Sequence, residues 1–114
     1  MDLIEPSLKK TNNIIEILLN INEKYYLFLK NRNISDLENF INGYTYAQYV
    51  NDFKIDGLDT YNDFFDWIRK KYDYNGIEGL FYLFNKIFEN SSCEERFTVF
   101  YDLLDTFLSS IDYK

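Results

Sequence analysis

The sequence predicts an all-α protein, a single domain over residues 1–114 that forms one compact bundle of about five helices around a central helix. Three observations lead there. Apolar residues recur at steps of three and four in five successive segments, the spacing that lines one face of a helix. Ser35 with Glu38 and Ser92 with Glu95 are capping boxes, in which each side chain satisfies a free N–H at a helix start. No run alternates apolar and polar residues for long enough to force a strand.

Pro6 suits the first turn of a first helix, where its missing N–H is no loss. Leu8, Ile14, Ile15, Leu18, Leu19 and Ile21 continue it to an end between Asn20 and Leu29. The apolar run from Tyr25 to Leu29 fits either the last turns of that helix or a short extended segment leading to Asn31, Arg32 and Asn33. The second helix, Ser35 to Phe53, is the predicted centre. Leu37, Phe40, Ile41, Tyr44 and Ala47 form one apolar stripe, and Gly43, Tyr46, Val50 and Phe53 form a second, which either covers another helix or faces a partner. Gly43 costs about 1 kcal/mol relative to alanine in a helix interior, so it is expected to be a close packing contact.

Lys54 to Asp59 form a turn in which Gly57 is free to take a positive φ. Asp59 or Thr60 then caps a third helix, with Asp63 in its first turn and Arg69, Lys70 and Lys71 in its last, each charge matched to the helix dipole. Tyr61, Phe64, Phe65, Ile68 and Tyr72 share its apolar side, which Trp67 borders. Tyr74, Asn75, Gly76 and Gly79 mark the next break. Ile77, Leu80, Phe81, Phe84, Ile87 and Phe88 make a fourth helix, ended by Asn90, Ser91 and Ser92. The fifth helix buries Phe97, Phe100, Leu104, Phe107, Leu108 and Ile111 and carries Glu95, Asp102 and Asp105 on its other side.

The net charge is −7 and the pI about 4.5. Residues 1–57 carry six basic and eight acidic side chains, residues 58–114 six and eleven, so the imbalance lies mainly in the second half. Such a balance argues against direct nucleic-acid binding, because phosphate contacts need clustered Lys and Arg, and for a basic protein partner. Eleven tyrosines are too many to bury with every hydroxyl satisfied, so several are expected at the surface, where tyrosine is a typical interface residue. The single cysteine, Cys93, excludes an internal disulfide and suits a reducing cytosol. The start M-D-L-I-E-P lacks the pattern of a signal peptide, and no apolar run approaches a membrane span, so the expected location is cytoplasmic.

There is no histidine, which removes the commonest general base and the commonest transition-metal ligand. Neither a Ser-His-Asp nor a Cys-His nucleophile can be built, nor a Cys-rich zinc site. The carboxylate pairs Asp59/Asp63, Asp63/Asp66, Glu94/Glu95 and Asp102/Asp105 come without a companion motif. Asp52, Asp56 and Asp59 flank a glycine, but their spacing departs from a calcium-binding loop. The expectation is a chain without catalytic residues, metal or cofactor.

Three segments carry a resemblance: I-S-D-L-E-N-F-I-N-G-Y from Ile34 to Tyr44, F-F-D-W-I-R-K-K-Y from Phe64 to Tyr72, and C-E-E-R-F-T-V-F-Y-D-L-L-D-T-F from Cys93 to Phe107. Together they resemble the small acidic bacterial immunity proteins of polymorphic and contact-dependent toxin systems, over roughly Glu23 to Phe107. In that group a segment like R-P-x-M-Y-L-G precedes the second helix. Here Lys24, Tyr25, Tyr26 and Leu27 stand in its place without the Arg-Pro or the glycine, so no binding residue carries over, and the resemblance favours an extended segment there.

The resemblance implies a protein that binds and neutralises a cognate toxin by covering its active site. A nuclease toxin, with its basic phosphate cleft, suits the charge. The expected contact surface is the turn and the start of the third helix: Tyr46, Tyr49, Asp52, Asp56, Asp59, Asp63 and Asp66. Three other readings share the composition: a phage-encoded acidic inhibitor of a bacterial defence nuclease acting as a DNA mimic, a carboxylate-metal enzyme, and a structural subunit whose second stripe forms a homodimer.

Overall fold

The structure, a computed structural model, describes residues 10–113. Five helices follow one another: α1 (Ile14–Glu23), α2 (Ile34–Val50), α3 (Leu58–Lys71), α4 (Leu80–Ile87) and α5 (Cys93–Ser110), with one 3₁₀ turn, Tyr25–Leu27, after α1. Among the described residues there is no strand, only an isolated bridge between Asn13 and Asp56. The all-α bundle is therefore as expected.

The helix at its centre is α5 rather than α2. It buries Phe97, Phe100, Tyr101, Leu103, Leu104, Phe107 and Leu108, and it packs on both α2 and α3, while α1 packs on α3. The Phe100 ring meets Phe64 edge-on at 5.6 Å, stacks on Phe81 at 5.6 Å and meets Phe84 edge-on at 5.5 Å. Phe107 extends this aromatic layer to Phe64 and Trp67. Each such pair adds about 0.5–1.5 kcal/mol beyond the area it buries. α2 contributes only Ile34, Leu37 and Ile41 to the buried core; Phe40 and Tyr44 are half-buried, and Ala47, expected on the inner stripe, is exposed.

Polar side chains tie α5 to its neighbours. The buried Tyr101 hydroxyl donates to the Leu18 carbonyl at 2.7 Å. Arg32 lies 4.6 Å over the Phe97 ring and donates to Thr98 Oγ1 at 2.9 Å, fastening the connection before α2 to the start of α5. Arg96 reaches Asn85 Oδ1 on α4 at 2.9 Å and the Ser91 carbonyl at 3.2 Å.

Several helix boundaries differ from expectation. Lys10 to Asn13 are not helical, so within the described residues α1 begins at Ile14, capped by Asn13; Pro6 and Leu8 lie outside the described residues. Asn33, not Ser35, caps α2, its Oδ1 accepting the Asp36 N–H at 2.8 Å. Burial of Ile34 inside the first turn moves the start upstream of Ser35. Gly57 precedes α3 without any side-chain cap, displacing Asp59 and Thr60 from that role. The Ser92–Glu95 box on α5 forms both of its bonds, at 3.0 and 3.1 Å, and the backbone and hydroxyl of Ser92 hold the Glu95 carboxyl below its usual range. The expected extended segment after α1 is instead the 3₁₀ turn, closed by Leu27 N–H to Lys24 O at 3.1 Å and Phe28 N–H to Tyr25 O at 2.9 Å. Leu29 is thereby swung into the core. α4 starts at Leu80, leaving Ile77 outside it, and Ile111 is exposed rather than buried because α5 stops at Ser110.

α2, α3 and α5 end alike. The residue after each cap is an aspartate with positive φ: Asp52 at 56°, Asp73 at 51° and Asp112 at 56°. The next residue, always aromatic, donates its N–H back five residues, Phe53 to Gln48 O at 2.9 Å, Tyr74 to Arg69 O at 2.9 Å and Tyr113 to Leu108 O at 3.0 Å. This is the Schellman motif, with aspartate where glycine is usual.

Phe100→Ala should cost about 3–5 kcal/mol, as for a large ring removed from a closed core, measured by urea unfolding. Burial raises the Tyr61 and Tyr101 hydroxyls above their ordinary value of 10, with the Glu38 charge adding to the effect at Tyr61 and Arg32 opposing it at Tyr101. A raised folded value stabilises below the unfolded value and is lost as pH climbs past it, so stability should fall between pH 10 and higher pH. Unfolding of Tyr101→Phe across that range should show a shallower alkaline decline than wild type.

Candidate functional site

Beyond Tyr44, α2 runs past the core into solvent. Tyr46, Tyr49, Val50 and Phe53 are 69, 78, 56 and 62% exposed. The second apolar stripe thus covers no other helix among the described residues. Gly43, expected as a packing contact, has nothing within 4 Å of where a Cβ would stand. The reason is geometric: the stripe containing Gly43 faces away from α5, and only the Leu37–Ile41 side turns inward.

This overhanging end is held rigidly. The Schellman motif at Asp52 folds Phe53 back against the last turn. Asn12 then clamps the turn that follows. Its Oδ1 accepts from the Tyr44 hydroxyl at 2.6 Å and from Gln48 Nε2 at 2.7 Å, while its Nδ2 donates to the Lys54 carbonyl at 2.6 Å. Backbone bonds run alongside, Asp56 N–H to Asn12 O at 3.3 Å and Ile14 N–H to Asp56 O at 2.9 Å. Gly57 follows with φ +81°, and a side chain there would strike Asn13. Partial burial, and then the nearby Asp56 charge, raise the Tyr44 hydroxyl above its usual range.

On α3 the acidic residues Asp59, Asp63 and Asp66 recur at steps of four and three and are all exposed, so they line one face of the helix. Asp66 pairs with Arg69 at 3.2 Å. Among the described residues no ion pair reaches Asp52, Asp56, Asp59 or Asp63.

The seven sequence-predicted residues fall into two groups joined by the clamped turn. Tyr46, Tyr49 and Asp52 sit at the end of α2, Asp59, Asp63 and Asp66 along α3, and Asp56 stands between them with its backbone bridged to Asn13. Val50 and Phe53 belong with the first group, and their shared stripe with Tyr46 is the sequence signal for it. Exposed apolar residues at the end of α2 and exposed carboxylates, of which Asp66 is ion-paired, thus flank the clamped turn. Among the described residues no group of three or more His, Cys, Asp or Glu is placed to hold a metal ion. Cys93 Sγ is a free thiol that lies 3.6 Å from Ser35 Oγ. A groove of about 350 Å³ between α1 and α5, lined by Glu16, Leu19 and Asp105, is shallow and open. No helix among the described residues is long and apolar enough to cross a membrane.

No protein-family model, curated protein or solved structure matches this chain.

Because nothing packs on Gly43, Gly43→Ala should raise stability by about 1 kcal/mol, the helix-propensity difference alone. A fall in the urea midpoint would restore the packing role that the structure removes.

Proposed function

We propose that this chain is a non-enzymatic, cytoplasmic immunity protein, working without metal or cofactor, that binds a cognate bacterial toxin and covers its active site. The observation that carries the reading is the solvent-exposed end of α2, with Tyr46, Tyr49, Val50, Asp52 and Phe53, which the clamped turn joins to α3 and its exposed carboxylates. A few desolvated aromatic side chains supply most of the affinity of a protein interface, and peripheral charges supply steering and selectivity. Tyr49 and Phe53 fit the first role. Asp52, Asp56, Asp59, Asp63 and Asp66 fit the second. A toxin whose catalytic cleft is basic, as a nuclease needs for phosphate, is the complement to that pattern and to the net charge of −7.

A decoy that mimics DNA requires spaced carboxylates and no apolar centre. The exposed aromatic patch therefore favours occlusion of a protein surface over mimicry of a phosphate backbone. The resemblance of the three helical segments to toxin immunity proteins supports the same reading.

Coexpression with the gene immediately upstream tests it. The expected result is rescue of growth and copurification of the two proteins. Replacing Asp52, Asp59 and Asp63 together by Asn should slow association about tenfold at low salt and flatten its salt dependence. Tyr49→Ala with Phe53→Ala should instead speed dissociation, at a cost of about 2 kcal/mol or more. Unchanged affinity in both variants would mean that another surface makes the contact.

A further inference from the structure

Two asparagines of this chain precede glycine, Asn42 before Gly43 and Asn75 before Gly76. Asparagine is a labile side chain, most of all before glycine, where no Cβ hinders the next backbone nitrogen from approaching the carboxamide. Both asparagines are exposed, so access to water does not separate them. The backbone does. Asn42 lies inside α2, where a ψ of about −42° points the Gly43 nitrogen into the helical ladder, its N–H bonded to the carbonyl four residues back. Turning that nitrogen onto the Asn42 carboxamide would break the helix at its middle.

Asn75 lies between α3 and α4, in a stretch without regular structure. Among the described residues neither its carboxamide nor the Gly76 N–H makes a hydrogen bond. By contrast Ser91, which follows the exposed Asn90, donates its N–H to the Phe88 carbonyl at 3.0 Å. On either side of Asn75 the chain is tied to one residue. The Tyr74 N–H donates to the Arg69 carbonyl at 2.9 Å, and the Arg69 guanidinium donates Nε–H to the Gly76 carbonyl at 3.0 Å and Nη2–H to the Glu78 carbonyl. Asn75 is the link left unbonded in a short span anchored at both ends.

We infer that Asn75 is a site of spontaneous deamidation, at which water converts the asparagine to aspartate and isoaspartate, while Asn42 is shielded by its helix. Hydroxide removes the Gly76 amide proton, and the nitrogen attacks Asn75 Cγ. The new C–N bond closes a five-membered succinimide, the bond from Cγ to the carboxamide nitrogen breaks, and that nitrogen takes a proton from water and leaves as ammonia. Water then opens the ring. Addition at Cγ gives aspartate, and addition at the Asn75 backbone carbonyl gives isoaspartate, whose main chain runs through Cβ and Cγ. Either product adds one negative charge to a chain already at −7. Isoaspartate also lengthens the main chain by a methylene between the two ties on Arg69, so the spacing that lets one residue bond both Tyr74 and Gly76 is lost. The connection between α3 and α4 loosens as the protein ages.

The test incubates the full chain at mildly alkaline pH, folded and in denaturing urea, and follows each asparagine by peptide mass mapping, ion-exchange separation of acidic species and enzymatic methylation of isoaspartate. In the folded chain Asn75 should be lost, with isoaspartate as the larger product, and Asn42 should remain. In urea, where neither keeps its local structure, the two should be lost at similar rates. Asn75→Gln, which could close only a six-membered ring, should remove the acidic species and keep the wild-type urea midpoint, since the side chain is exposed and unbonded. In the separated isoaspartyl product, amide exchange at Tyr74 should be faster than in the parent. An Asn75 that survives in the folded chain over times that consume it in urea overturns the site. Equal loss of Asn42 and Asn75 in the folded chain overturns the shielding by α2. Unchanged exchange at Tyr74 in the isoaspartyl product overturns the loosening of the connection.

Discussion

The Phe100 ring joins α5 to α3 through Phe64 and to α4 through Phe81 and Phe84, and this one packing contact determines which faces of the bundle are left over. Interiors pack at crystal-like density, so rings locked edge-on and stacked leave little tolerance for sliding. With α5 filled on these sides, α2 can dock only through its first half, at Ile34, Leu37 and Ile41. In the remaining two turns Tyr46, Tyr49 and Val50 stay exposed, with no apolar surface among the described residues covering them. The proposed partner surface is thus what remains when the aromatic layer has closed.

Polar side chains complete what burial does not. Asn12 holds the turn after α2 by bonding Tyr44, Gln48 and Lys54, and Arg69 holds the connection after α3 through two carbonyls. Neither residue belongs to the core. Both convert connections that would otherwise sample many conformations into held ones, which at the α2 turn lowers the entropy lost on binding. The aspartates of the helix ends add to this: Asp52 lies at the α2 turn and Asp73 leads into the connection that Arg69 holds, so both begin at a left-handed stop.

The helices themselves were legible because their apolar spacing repeats over several turns, and the Ser92–Glu95 box marked the start of α5 directly. Gly57 was readable as a positive-φ turn for the same local reason. Side-chain competition was not readable. Ser35 and Asn33 both suit a cap, and the burial of Ile34 chose between them. Two apolar stripes on α2 look alike on a helical wheel, and only the position of α5 shows that Leu37 turns inward while Tyr46 does not. Ile77 continues the spacing of α4, so periodicity assigns it to the helix; the tie from Arg69, eight positions upstream, leaves no trace in the pattern. Of the candidate surface, the acidic residues were visible as composition and spacing, whereas the clamp at Asn12 depends on a long-range pairing that no local rule reports.

The overhang of α2 also bears on how such a protein changes over generations. Substitutions at exposed positions away from caps and buried networks shift stability by only about 0.5 kcal/mol in either direction. Tyr46, Tyr49 and Val50 are positions of that kind, resting on a helix whose anchor lies in a different half. Drift in the residues of the proposed contact surface is therefore uncoupled from the residues that secure the fold. A chain built on this plan can exchange one set of exposed residues for another without passing through unfolded intermediates.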